Sequence, residues 1–293
     1  MSVQLVIGAS GQVGQHLLAA LTNLGHEAVG TCYSHPLPDM RRLDIRSGAE
    51  VRSLIAQVRP EVIYLPASLT DVDCCELHPG EGYLTNVIGV RNVVGAANGM
   101  EAKLVYFSSD YIFSGDHGPY QEDDPPNPIC EYGRQKLIAE HHVAGHSHDY
   151  LIVRTTVVYG WEVQGKNFVN RLLNTLAAGQ KIKVPNDQVG TPTYAPNLAR
   201  AAIVLALSEA GGIYNVVGPE RTNRYEFACE AARVFGLDLR LIDPVATCEL
   251  GQAAPRPLNA GMTNEKASRK LAFPLIGYHQ GLRALLTGRK AKQ

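Results

Sequence analysis

Hydrophobic and polar positions along this chain alternate between two rhythms. A short apolar run, Val3-Gln4-Leu5-Val6-Ile7, gives way to a segment whose apolar residues Val13, Leu17, Leu18 and Leu21 recur every three or four positions. The first pattern predicts a buried strand and the second an amphipathic helix. The exchange repeats, with strands expected at 27–31, 61–65, 103–107 and 150–154. Helices are expected at 49–58 and 83–98, and from Tyr132 to about His146. Strands separated by helices in this rhythm predict an α/β fold with a doubly wound parallel sheet, whose ligand sits at the carboxyl ends of the strands. Beyond Gly160 the pattern loosens: helices are expected at 168–178, 198–207 and 224–235, strands at 181–184 and 213–217, and a proline-rich loop at 243–259. Residues 1–160 are therefore expected to form the sheet domain. Residues 161–293 are expected to form mainly a smaller lobe, part of which (about 190–217) packs back on the first.

Between the first strand and the first helix stand Gly8-Ala9-Ser10-Gly11-Gln12-Val13-Gly14. Glycines let a backbone approach a pyrophosphate closely, and a helix N-terminus offers unpaired N–H groups and a partial positive charge. The spacing is G-x-x-G-x-x-G and not the commoner G-x-G-x-x-G. Tight packing alone would also use such glycines. With the strand before and the helix after, Gly8, Ser10, Gly11, Gln12 and Val13 are candidate dinucleotide ligands.

Tyr132 and Lys136 are four residues apart on an expected helix, so both project from one face. Upstream, Phe107-Ser108-Ser109-Asp110-Tyr111 ends an expected strand. A phenol titrates near about 10, too high for ready proton exchange at neutral pH, and a neighbouring ammonium is expected to pull Tyr132 down. A hydroxyl from Ser109 would bond the same substrate oxygen. Ser109, Tyr132 and Lys136 are thus the parts needed to protonate a carbonyl oxygen while hydride arrives at its carbon. Alone, Y-x-x-x-K usually marks a surface tyrosine beside a solvated lysine; the glycine turn gives it weight.

With 27 basic and 28 acidic residues the formal charge is −1, which argues against a dedicated partner among nucleic acids or anionic membranes. Met1-Ser2-Val3-Gln4 lacks a basic leader, and no apolar window is long enough to span a bilayer. The six cysteines form no C-x-x-C pair, and read as reduced thiols in a cytoplasmic protein. His142 and His146 have an i,i+4 relation open to zinc, but a helix C-terminus that favours imidazolium explains them more simply. No metal site is expected.

Several ordered blocks carry a resemblance. Ser108-Ser109-Asp110-Tyr111-Ile112-Phe113-Ser114-Gly115, Thr70-Asp71-Val72-Asp73-Cys74-Cys75-Glu76, Pro119-Tyr120-Gln121-Glu122-Asp123-Asp124, Asn186-Asp187-Gln188-Val189-Gly190-Thr191-Pro192-Thr193 and Arg256-Pro257-Leu258-Asn259 stand in sequence around the Tyr132–Lys136 pair. The chain resembles an extended short-chain dehydrogenase/reductase, and within that group the dTDP-4-dehydrorhamnose reductase family. The resemblance implies a Rossmann-type fold with a smaller C-terminal substrate lobe, and NAD(P)H-dependent reduction of a nucleotide-linked 4-keto sugar. It places Tyr132 as proton donor, Lys136 on the nicotinamide ribose and Ser109 beside the reacting oxygen. Asp44 and Ile45 match the adenine-contacting pair, and Pro66 and Ala67 end the third expected strand. Thr70, Val72 and Asn167 match substrate-side positions, Asp110, immediately after Ser109, would touch the substrate or tie down the loop by hydrogen bonds, and Arg256 is a candidate for the diphosphate. After the second strand no carboxylate awaits a ribose 2′-OH; Ser34 and His35, aided by Arg41 or Arg42, suit a 2′-phosphate instead, which favours NADP(H) over NAD(H).

Departures from the pattern include Gln135 before the lysine, Leu65-Pro66 in place of Asn-Ala, and Ala260 after Arg-Pro-Leu-Asn. The chain is also similar to the regulatory beta subunit of methionine adenosyltransferase. That similarity implies an alternative, a non-catalytic NADP-binding subunit working with a partner enzyme; a homodimer is equally compatible with the sequence.

Overall fold

A computed structural model describes residues 3–290. Met1 and Ser2, which entered the reading of the leader, lie outside the described residues. Seven parallel strands form the central sheet: β1 (Val3–Ile7), β2 (Glu27–Cys32), β3 (Arg41–Arg42), β4 (Val62–Leu65), β5 (Lys103–Ser109), β6 (Tyr150–Thr155) and β7 (Gly212–Asn215). Their order is β7-β6-β5-β4-β1-β2-β3, so the winding reverses between β1 and β4. That reversal opens a crevice at the strand ends, where doubly wound folds hold ligands.

Alternate side chains of the central strands enter opposite layers, as the two-residue period of a strand requires. Val6, Tyr64, Val105 and Val153 pack with Leu17 and Leu21 of the first helix (Gln12–Asn23) on one face. Leu5, Ile63, Leu104 and Ile152 pack with Ile55, Val93, Val94 and Val143 on the other. Both faces are covered, which is why these strands read as continuous apolar runs.

The chain then leaves the sheet and returns. Tyr159, Leu172, Leu173, Val184, Phe227, Leu282 and Leu285 form the separate core of the second lobe. Between its parts, the helix Ala195–Leu207 goes back to the first lobe, where Leu198, Ala202 and Leu205 join Leu17 and Leu21. β7 pairs with β6 and completes the sheet edge, and Ala267 and Leu275 finish the same core.

Several elements differ from expectation, among them the unforeseen helices Val72–Leu77 and Tyr278–Lys290 and a strand, Ile242–Val245, that runs into the expected loop. The helix expected at 83–98 is interrupted: Pro79–Tyr83 is α-helical, Leu84–Ile88 forms a π-turn, and Gly89–Asn98 resumes the α-helix. The strand β3 was not foreseen, because two charged residues on an exposed edge carry no apolar pattern. Among the described residues no helix is long and apolar enough to cross a membrane, and no group of three metal-ligating side chains occurs. His142 and His146 stack with ring centroids 4.2 Å apart.

Candidate active site

The strand ends open into one cleft of about 1230 Å³, walled by the sheet on one side and the second lobe on the other. Its floor begins at the glycine turn. Gly8 has φ of +94°, and a Cβ there would come within 2.8 Å of the Ala67 backbone, so a side chain would force β1 away from the segment after β4. Gly11 caps the first helix without a side-chain bond, and no acidic residue stands in the first turn. The orphan N–H groups and the positive end of that helix are left for a ligand. Gly8, Ser10, Gly11, Gln12, Val13, Pro66 and Ala67 all line the cleft. At its back, the buried hydroxyls Ser108 Oγ and Thr155 Oγ1 have no protein partner, although both residues line the same space. Unpartnered buried hydroxyls cost free energy unless a bound polar group meets them. A glycine cradle, an uncapped helix start and waiting hydroxyls fit a dinucleotide.

At the far end of this floor Ser34 and His35 are exposed on the rim, with Ser34 Oγ and His35 Nδ1 2.8 Å apart. Asp44 and Ile45 line the opposite rim. The arginine that lines this rim is Arg46, not Arg41 or Arg42. Arg46 Nε donates to Asp44 Oδ1 at 2.8 Å and its guanidinium also reaches the Tyr33 hydroxyl. That bond holds the Asp44 carboxyl below its ordinary range. Arg42 lies 3.9 Å from Glu50 instead.

Ser109, the last residue of β5, meets Tyr132 and Lys136 on the helix Glu131–His146, and all three line the cleft. Lys136 is buried, its Nζ donating to Phe107 O at 2.6 Å and lying 4.4 Å from the Tyr106 ring centroid. Burial pulls the lysine down to about 7, opposed by the charge of Glu140. Tyr132 contradicts the expected direction: its phenol is raised, first by burial and then by the charge of Asp110, with Ser109 the neighbour that lowers it. Lys136 is not among the groups that offset this; burial brings the lysine itself down to about 7, so its charge is only partial at neutral pH. Ser109 Oγ donates to Asp110 Oδ1 at 2.9 Å and accepts from Tyr111 N. Thr156 Oγ1 holds the other Asp110 oxygen at 2.6 Å. Burial lifts Asp110 to about 6 despite these two bonds.

Thr70, Val72 and Asn167 all line the cleft, and Asn167 Nδ2 donates to Gly160 O at 2.9 Å, close to Gln12 of the glycine turn. Asn167 also caps the helix Phe168–Ala177, accepting from Asn170 N at 3.1 Å. Arg256 is not brought to the cleft. Its guanidinium pairs with Asp73 at 2.9 Å and donates to Ala254 O, a half-buried tie between the lobes. The cations that do line the second-lobe wall are Lys166, Arg171 and Arg224, which sequence reasoning missed. Neither arginine makes an ion pair among the described residues. Arg224 opens the helix Arg224–Phe235, where a cation opposes the helix dipole. That misplaced charge was the signal available in the sequence. Burial holds Arg224 below its usual range, opposed by the charges of Tyr111 and Asp110 and helped by those of Arg171 and Arg256.

Comparison with known proteins agrees with this geometry. Residues 1–290 match the RmlD substrate binding domain. A dTDP-4-dehydrorhamnose reductase from Salmonella typhimurium is 32% identical over 294 residues, covering 97% of this chain and 96% of that protein. Methionine adenosyltransferase 2 subunit beta from Xenopus tropicalis is 31% identical over 274 residues, covering 90% of this chain and 81% of that one. The crystal structure of a dTDP-4-dehydrorhamnose reductase from Bacillus anthracis in complex with NADP aligns with a TM-score of 0.90 at 30% identity, covering 98% of this chain and 100% of that one. The sheet order, the cleft at its switch point and similarity running the length of both lobes place this oxidoreductase among the extended short-chain dehydrogenases/reductases, and the chain belongs to the RmlD substrate-binding-domain family.

Proposed function

We propose that the chain reduces a 4-keto sugar carried on a nucleoside diphosphate, with NADPH preferred over NADH. The observation that carries this reading is the meeting of Ser109, Tyr132 and Lys136 in a cleft whose far wall carries two arginines, Arg171 and Arg224, that make no ion pair among the described residues. Gly8, Ser10, Gly11, Gln12 and Val13 would hold the pyrophosphate, and Pro66 and Ala67 the nicotinamide side. Ser34, His35 and Arg46 suit a ribose 2′-phosphate, and no carboxylate stands at 33–35, directly after β2, to repel one. When bound, the dinucleotide supplies the hydride.

The protein's own part is to deliver a proton and to hold the sugar. Burial keeps the Tyr132 phenol protonated at neutral pH, so it has a proton to give to a developing alkoxide, although the same shift makes it a weaker acid. The Ser109 hydroxyl orients the same oxygen and is itself oriented by Asp110. Lys136 bonds the ribose and supplies positive charge near the phenol as that proton leaves. Thr70, Val72, Asp110 and Asn167 would contact the sugar, and Arg171 and Arg224 the diphosphate, the role first expected of Arg256.

Oxidation of NADPH on addition of 4-keto nucleotide sugars tests the reading directly. Tyr132→Phe should lose at least about a hundredfold in turnover while still binding NADPH. Full activity in that variant would refute the proton donor. Failure of the parent on every keto sugar, with stoichiometric capture of a partner enzyme, would favour the regulatory role seen in the beta-subunit resemblance.

A further inference from the structure

Gln135, the departure that precedes the lysine, is fully buried, and so is Asn86 on the π-turn Leu84–Ile88. Their side chains meet: Asn86 Nδ2 donates to Gln135 Oε1 at 3.0 Å. Each then reaches outward. Asn86 Oδ1 accepts from Ser68 Oγ at 2.7 Å and from Leu69 N at 2.8 Å, and Asn86 Nδ2 also donates to Leu69 O at 3.0 Å. Gln135 Nε2 donates to Pro79 O and to Glu131 Oε1, both at 3.1 Å. The Asn86 amide thereby fills both donor and both acceptor positions, a complete set for that side chain.

Local structure is shaped around this pair. A Cβ on Gly82 would lie 2.5 Å from Gln135 Oε1, so the glycine there leaves room for the amide. π-turns insert one residue into a helix and recur at functional sites, and this one accommodates Asn86 inside while Leu84 and Thr85 line the cleft. Residues 68–70 also line the cleft, and no regular secondary structure holds them. The Asn86 amide satisfies both the N–H and the C=O of Leu69, as a neighbouring strand would.

We infer that Gln135 and Asn86 form a bracket that fixes the 68–70 wall of the cleft against the helix bearing Tyr132 and Lys136, which makes Gln135 a positioning residue for the substrate. The inference rests on the reductase reading only for what the wall contacts. A small hydroxyl residue at 135 would be too short to span the distance to Asn86 and Pro79 together. The linkage transmits the position of the catalytic helix to the substrate side, so the two halves of the site move as one.

Amide exchange and kinetics of three variants test it. In Gln135→Leu, exchange across 68–70 should accelerate about tenfold with the sheet unchanged, and turnover should fall about tenfold while NADPH affinity holds. Gln135→Glu preserves volume. Its protonated acid reproduces the acceptor and one donor, whereas its ionised form sets a charge against Glu131 and the Pro79 carbonyl. Its rate relative to the parent should therefore decline as pH rises, while that of Gln135→Leu stays flat. Asn86→Ala combined with Gln135→Leu should lose no more than the worse single variant. Unchanged exchange across 68–70, a flat ratio for Gln135→Glu, or losses that multiply would overturn the bracket. Should the parent turn over no keto sugar, the proposed reaction fails, and the exchange result alone decides this inference.

Discussion

Replacing Lys136 by methionine should stabilise the ligand-free protein while abolishing its activity. The ammonium is buried and titrates near 7, against 10.5 for a solvated lysine. Between those values the unfolded chain binds more protons than the folded one, so stability climbs with pH across this window. At pH 7 the folded state bears a penalty of about 4 kcal/mol, which shrinks to about 2 kcal/mol at pH 9. Methionine fills similar volume but leaves the Phe107 carbonyl without the Lys136 donor, an offset of about 1–3 kcal/mol. The net expectation at pH 7 is a gain of about 1–3 kcal/mol, or several degrees in midpoint. Urea unfolding of parent and variant at pH 7 and pH 9 measures both quantities. The informative number is the difference between pH values, because the lost hydrogen bond cancels from it. The variant's advantage should fall by about 2 kcal/mol on going to pH 9. An advantage that does not depend on pH, or a variant less stable at both, would show that this lysine is not strained by burial.

Other expectations follow from the same geometry. Arg154 is buried with Glu140 at 2.7 Å and also donates to Glu122 O, so Arg154→Met should cost about 3–5 kcal/mol in urea unfolding, with much of that recovered when Glu140→Leu is added. Asp110 holds its proton up to about 6, against 3.8 for a solvated aspartate, so its contribution is full below about pH 4 and is lost as pH rises through 6. Asp110→Asn should flatten that part of the stability profile; an unaltered profile would exclude Asp110 as its source. Arg46→Gln should raise the Michaelis constant for NADPH about tenfold and leave that for NADH unchanged, measured from initial rates with each cofactor.

The central sheet was legible because its inner strands are covered on both faces and so read as apolar runs between glycine-marked turns. The Tyr132 helix was harder to read by pattern. Its buried stripe, Tyr132, Gln135, Lys136, Ala139, Glu140 and Val143, keeps helical spacing but is half polar, since each polar member is satisfied inside. The pairing of Tyr132 with Lys136 followed from their spacing, whereas the sign of the phenol's shift did not. Spacing places two groups on one face without revealing how much water is removed or where the ammonium donates. Arg256 illustrates the same limit: its partner Asp73 lies far away in sequence, so a cation expected on a ligand proves to be a tie between lobes. Arg171 reaches the cleft through the packing of the second lobe, which no local pattern encodes, whereas Arg224 left one local trace, a cation at the start of its helix.

The return of the chain from the second lobe to the first bears on biosynthesis. Leu17 and Leu21 are covered by Leu198, Ala202 and Leu205, and the same apolar layer is finished by Ala267 and Leu275. During translation at about 5–20 residues per second, that layer waits uncovered for roughly ten seconds after Gly160 has been made. Nascent chains halted at successive lengths should therefore stay protease-sensitive in this half until the closing segment has left the ribosome. A gene fragment ending near Gly160 would encode an adhesive half-protein, and a chaperone that recognises exposed leucines has its natural binding window in that interval.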